Sequence, residues 1–124
     1  MNVVDSSGWL EYFADGSNAE FFVPAIEDTK NLLVPVICIY EVFRRILQQS
    51  GVIEAQQHIS DMKLGQIIEL DESLALSAAK LCVDLKLPMA DSLILATARA
   101  NHATFWTQDE HFKDLDGVKY VKKK

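Results

Sequence analysis

Short apolar runs alternate along the chain with longer amphipathic stretches, a pattern that predicts strands separated by one or two helices. Val3-Val4 reads as an opening strand and Ser6 to Phe13 as a turn or two of helix. Residues 17–29 read as helix, with Ser17 or Asn18 able to cap its start and Glu20 in its first turn. Leu32 to Val36 predicts a buried strand whose Pro35 marks its end. Apolar residues at 39, 42, 43, 46 and 47 give helical spacing from Ile37 to Gln49, which Gly51 closes, and a second helix follows over residues 52–63. Beyond Gly65, Gln66 to Leu70 predicts a strand, and Asp71 caps a helix over residues 72–86. Pro88 interrupts, and a further helix runs from about Ala90 to Asn101. Ala103 to Thr107 and Val118 to Val121 predict the last strands, with a short helix over residues 109–115 between them. This order implies an α/β fold in which a parallel sheet is sandwiched between helices.

Ligands of such sheets sit beyond the carboxyl ends of the strands, so the polar residues that follow strands become candidates. Asp5 follows the first strand, Glu41 lies about one turn into the helix after the second, and Asp109 follows the fourth. Asp91 opens a helix after Leu87-Pro88, and strand geometry alone does not bring it to that edge.

Length and composition narrow the setting. At 124 residues the chain reads as one domain over residues 1–124, and 49% apolar with 24% charged residues can bury a core without disulfides. Cys38 and Cys82, far apart in apolar stretches, read as buried free thiols of a reducing cytoplasm. The expectation is a soluble cytoplasmic protein, since no signal-peptide pattern or membrane-length apolar run is present. The formal net charge of −6 argues at first against a nucleic-acid partner, because phosphate binders usually carry a basic excess.

Each acid has an ordinary explanation when taken alone. Asp5, Asp91 and Asp109 can cap the helices that follow them, and Glu41 can pair with Arg44 or Arg45 at i+3 and i+4. Two settings fit those explanations poorly. Glu41 follows the apolar turn Val36-Ile37-Cys38-Ile39, and Asp91 heads a nearly all-apolar helix where an unpartnered carboxylate is costly. Two carboxylates about 4 Å apart repel by roughly 4 kcal/mol at an effective dielectric of 20, so several share one cleft only beside a cation. An oxygen-only ligand set suits Mg²⁺ or Mn²⁺ rather than zinc.

Asp5 in VVDSS, Glu41 in ICIYEVFRR, Asp91 in LPMADSLILATA and Asp109 in WTQDEHF resemble, in order, the four acidic motifs of the PIN domain. Their spacing is similar to that of the VapC-type toxins of toxin–antitoxin pairs, and the resemblance covers essentially the whole chain. It implies a three-layer α/β fold with a mainly parallel five-stranded sheet. It also implies that Asp5, Glu41, Asp91 and Asp109 are catalytic and bind one or two Mg²⁺ or Mn²⁺ ions. Ser7 and Thr107, at the small hydroxyl positions beside the first and last acids, would orient ligands or water. The implied activity is endonucleolytic cleavage of RNA, in the toxins often tRNA or rRNA, to 5′-phosphate and 3′-hydroxyl ends. The implied partners are a cognate antitoxin that blocks the cleft and a second copy in a homodimer.

The charge objection then weakens. Two divalent ions, four positive charges, would bring −6 to −2, and Arg44, Arg45 and Arg99 are candidates to hold phosphates. Lys122-Lys123-Lys124 reads as a solubility tail, and Trp9, Tyr12 and Phe13 as packing residues. His58, His102 and His111 read as scattered surface residues, which speaks against a histidine-based ribonuclease. A haloacid-dehalogenase-like phosphatase would need an acid where Ser7 stands, and a phospho-acceptor receiver domain fits Glu69-Leu70-Asp71 poorly. A PIN-like domain that binds metal, RNA or a protein without cutting stays open.

Overall fold

The strand that begins the chain is the middle of the sheet. In the computed structural model, which describes residues 1–124, β1 (Asn2–Val4) lies between β2 (Leu32–Pro35) and β4 (Thr104–Thr107). β3 (Gln66–Ile68) extends the sheet beyond β2, and β5 (Val118–Tyr120) extends it beyond β4. The five strands are ordered β3-β2-β1-β4-β5 and every pairing is parallel. The chain builds outward from β1 in one direction, then returns to add strands on its other side. That reversal puts a topological switch point beside β1, where a crevice opens at the carboxyl ends of the strands.

Burial explains the parallel arrangement. All four residues of β2 are buried, as are Val3, Val4, Phe105 and Trp106 of the central strands. Successive strand residues point to opposite faces, so both faces of the sheet are covered. The cover comes from six helices: α1 (Ser6–Phe13), α2 (Ala19–Ile26), α3 (Val36–Ser50), α4 (Val52–Met62), α5 (Glu72–Leu85) and α6 (Met89–Ala100). Trp9 and Phe22, Cys38 and Val42, and Ile94 and Leu95 join the strand residues in one continuous core. Gly8 lets α1 approach closely: a Cβ there would stand 2.6 Å from a Phe22 ring carbon and 2.8 Å from Val4 Cγ1.

The element order follows the sequence pattern, with the larger differences in three elements. The helix expected over 17–29 covers only Ala19–Ile26, followed by a 3₁₀ turn at Thr29–Asn31. Asn18 stands at its N-cap without capping, because its amide donates to Gln108 Oε1 at 2.9 Å and to the Lys122 carbonyl at 3.1 Å. β3 stops at Ile68 instead of Leu70, since its partner β2 ends at Pro35, the residue opposite Ile68. The helix expected over 109–115 is one 3₁₀ turn, Glu110–Phe112, anchored by the buried Phe112 ring against Phe105. Asp71 does cap α5, accepting from the Leu74 N–H at 2.9 Å. No helix is long and apolar enough to cross a membrane.

Candidate metal centre

Asp5 is the residue at which β1 turns into α1. Its N–H donates to the Trp106 carbonyl at 2.9 Å, continuing the β1–β4 ladder, and its carbonyl accepts the N–H groups of Gly8 and Trp9 in α1. The backbone therefore fixes the residue from both sides, and the residue is only 3% exposed. Asp5 occupies the N-cap position, yet its carboxylate makes no capping hydrogen bond. Ser7 Oγ and Thr107 Oγ1 both donate to Oδ2 at 2.8 Å. Oδ1 accepts from no protein group. Burial pushes the Asp5 carboxyl up to about 7; the two hydroxyls oppose that rise, and the charges of Asp91 and Asp109 add to it. Burial thus disfavours the ionised form, which a nearby positive charge would favour.

The other three acids reach the same place from three different elements. Glu41, in the second turn of α3, accepts from Ser6 Oγ at 2.7 Å and forms no ion pair with Arg44 or Arg45. Asp91 is in the first turn of α6, whose N-cap is Pro88, so it caps nothing and is half-buried instead. Burial and the charge of Asp109 raise its carboxyl, with His111 opposing through a hydrogen bond. Asp109 does cap: Oδ1 accepts from the His111 N–H at 2.9 Å, while its own N–H donates to Thr107 Oγ1 at 2.9 Å. Asp5, Glu41, Asp91 and Asp109 together line a cleft of about 290 Å³, with Ser6, Ser7, Tyr40, Arg44 and Arg45 on its walls. Cys38 lies fully buried close by, its Sγ 3.8 Å from the Val4 carbonyl, and burial pushes its thiol up, away from the reactive thiolate form.

Thr107 thus touches two of the acids. Its hydroxyl donates to Asp5 and accepts from the Asp109 backbone, so β4 delivers both Asp109 and the clamp on Asp5. Ser7 closes the clamp from α1.

Three residues of the site escaped the sequence pattern. Ser6, next to Asp5, holds Glu41. Lys123 of the lysine tail lines two depressions that border the cleft, one shared with Asp109 and His111. His111 is exposed as expected of a surface residue, yet its Nδ1 stands 3.3 Å from both Asp91 Oδ2 and Asp109 Oδ1. One donor atom each from Asp91, Asp109 and His111 lies within 4.8 Å of the others. The only sequence signal was proximity to an acid: one residue after Asp5 for Ser6, two after Asp109 for His111. Arg99 lies elsewhere, in a depression with His102 and Asp116. His58 is half-buried, its ring 4.2 Å from that of Phe13.

Several solved structures share this arrangement of chain. A toxin–antitoxin complex from Klebsiella pneumoniae contains a chain 19% identical, with a TM-score of 0.80 and 96% of each chain covered. VapC20 from Mycobacterium tuberculosis, described as a Sarcin-Ricin loop cleaving toxin, is 13% identical with a TM-score of 0.76, over 94% of this chain and 95% of that one. A chain of FitAcB from Neisseria gonorrhoeae is 18% identical with a TM-score of 0.73, over 98% and 97%. At these identities the likeness is one of fold. By sequence alone no curated protein matches. The family model described as PIN domain matches residues 3–118, nearly the whole chain, and the chain belongs to the PIN domain family.

Proposed function

We propose that this protein is a divalent-metal-dependent endoribonuclease, the toxin of a toxin–antitoxin pair, acting in the cytoplasm as one nuclease domain over residues 1–124. The observation that carries the reading is the convergence of Asp5, Glu41, Asp91 and Asp109, from four separate elements, on one cleft. Like charges so gathered need a counter-cation. The donor set fits a hard ion such as Mg²⁺ or Mn²⁺: it is carboxylate oxygen, and buried Asp5 keeps Oδ1 free of protein donors. When bound, such an ion supplies the Lewis acidity that water attack on a phosphodiester requires.

The chain's own residues supply the rest. Ser7 and Thr107 hold Asp5, and Ser6 holds Glu41, so the carboxylates are oriented before substrate arrives. Arg44 and Arg45, on the cleft wall, bind phosphates of the substrate. Water attacks phosphorus and the 3′ oxygen leaves, giving 5′-phosphate and 3′-hydroxyl ends. The similar chains named in toxin–antitoxin complexes support a cognate antitoxin as partner. So do Leu47, Val52 and Ile53, apolar side chains left exposed where α3 meets α4. A homodimer is the expected assembly.

The test is cleavage of a structured RNA such as tRNA or rRNA by the purified chain in Mg²⁺ or Mn²⁺, with the new ends mapped. EDTA, Asp5→Asn and Asp91→Asn each abolish cleavage. Full activity in either variant overturns the site, and RNA binding without cleavage at any metal concentration identifies a non-cutting PIN domain. Induction in cells without the product of a small neighbouring reading frame halts growth; harmless induction overturns the toxin role.

A further inference from the structure

We propose that His111 is a metal ligand, its imidazole joining the carboxylates of Asp91 and Asp109 in a mixed nitrogen and oxygen set. The site then favours first-row transition ions over Mg²⁺. The inference rests on the metal-dependent reading of the cleft and adds to it a donor that four acids alone do not provide.

The geometry suits three ligands of one ion. His111 Nδ1 is 3.3 Å from Asp91 Oδ2 and 3.3 Å from Asp109 Oδ1, and the three donors fall within 4.8 Å of one another. Two ligand atoms at right angles around one ion, each about 2.1 Å from it, stand roughly 3.0 Å apart. Both observed spacings are close to that of adjacent coordination positions. The donors are also held in place. Asp109 is pinned by its bond to the His111 N–H and by Thr107 Oγ1, and Asp91 by the first turn of a buried helix.

An ordinary surface ion pair explains this placement less well. It would need one carboxylate, whereas the ring nitrogen sits equally close to two from different elements, and the ring is otherwise 58% exposed. A nitrogen donor changes which ion the site prefers: Mg²⁺ takes oxygen ligands and water, while affinity for imidazole-containing sites rises along the first-row series from Mn²⁺.

The full-length chain is titrated with Mn²⁺ alone and Mg²⁺ alone by calorimetry, as wild type, His111→Ala and His111→Gln. The Mn²⁺ complexes are also examined by pulsed electron paramagnetic resonance for nitrogen coupling. The wild type should show one coupled imidazole nitrogen and bind Mn²⁺ more tightly than Mg²⁺. His111→Ala should lose the coupling and about tenfold in Mn²⁺ affinity while Mg²⁺ affinity stays nearly constant. Gln, which can pair with both carboxylates but is a poor ligand, should not rescue Mn²⁺ binding; rescue would assign His111 a merely structural role. Mn²⁺ bound without nitrogen coupling, or bound equally well by His111→Ala, overturns the ligand role and leaves the metal-dependent nuclease standing. A wild-type chain that binds neither ion overturns both.

Discussion

Thr107 Oγ1 donates to Asp5 Oδ2 at 2.8 Å, a bond that joins the ends of the two adjacent central strands across 102 residues of sequence. The same oxygen accepts the Asp109 N–H, so one fully buried hydroxyl positions two of the four acids. Thr107→Val keeps the shape and removes both bonds. Leaving a buried carboxylate oxygen and an N–H with fewer partners costs about 1–3 kcal/mol, read as a lower urea midpoint with unchanged slope. RNA cleavage falls at least about tenfold, while Thr107→Ser restores both properties.

Asp5 makes apo-protein stability depend on pH with a definite sign. Its folded-state carboxyl titrates near 7 instead of the ordinary 3.8, so the folded chain holds a proton that the unfolded chain releases. Folding stability is therefore unpenalised below pH 3.8, falls as pH rises toward 7, and levels off above. The shift corresponds to at most roughly 4 kcal/mol. Without divalent ions, Asp5→Asn should raise the melting temperature by several degrees at pH 8 and hardly at all at pH 4. Added Mn²⁺ should stabilise the wild type at pH 8 and not the variant. An Asp5→Asn protein that melts below the wild type at pH 8 would contradict this.

Arg44 and Arg45 line the cleft and neither is engaged in an ion pair. The double Ala variant should bind RNA more weakly with little change in folding stability, because both side chains are exposed. The slope of log Kd against log salt, measured in EDTA, should shrink by about one for each phosphate that the variant no longer neutralises. An unchanged slope places the phosphates elsewhere.

Gly8 couples packing to the site. A methyl group there has no room between Phe22 and Val4, so Gly8→Ala must push α1 away and destabilises by about 1–3 kcal/mol. Because α1 carries Ser6 and Ser7, cleavage at temperatures where the variant stays folded should fall as well. Circular dichroism and a cleavage assay on one sample separate the two effects.

Much of this arrangement was legible in the chain. Helices α3, α5 and α6 are long and strongly patterned, and the apolar runs of β1, β2 and β4 suit a sheet covered on both faces. Asp5, Glu41 and Asp109 follow strands, so the parallel topology alone carries them to one edge. Asp91 was not legible that way. It reaches the cleft because α6 packs against α3, β2 and β4, a tertiary arrangement without a local signal. Asn18 misled for a related reason: its amide found a buried partner in Gln108, 90 residues away, in place of the helix end beside it. His111 reads as a polar surface residue, and only the tight turn capped by Asp109 swings its ring between two acids.

The position of β1 in the sheet also sets when the site comes into existence during synthesis. Its partner on one side, β4, pairs Thr104 with Asn2, so that edge stays open until Thr104–Thr107 has left the ribosome. A nascent chain ending at residue 100 already carries Asp5, Glu41 and Asp91. It lacks Asp109 and the hydroxyl of Thr107, and its central strand is half paired. Asp109 is the last of the four acids to be synthesised, so the four can assemble only after it has emerged.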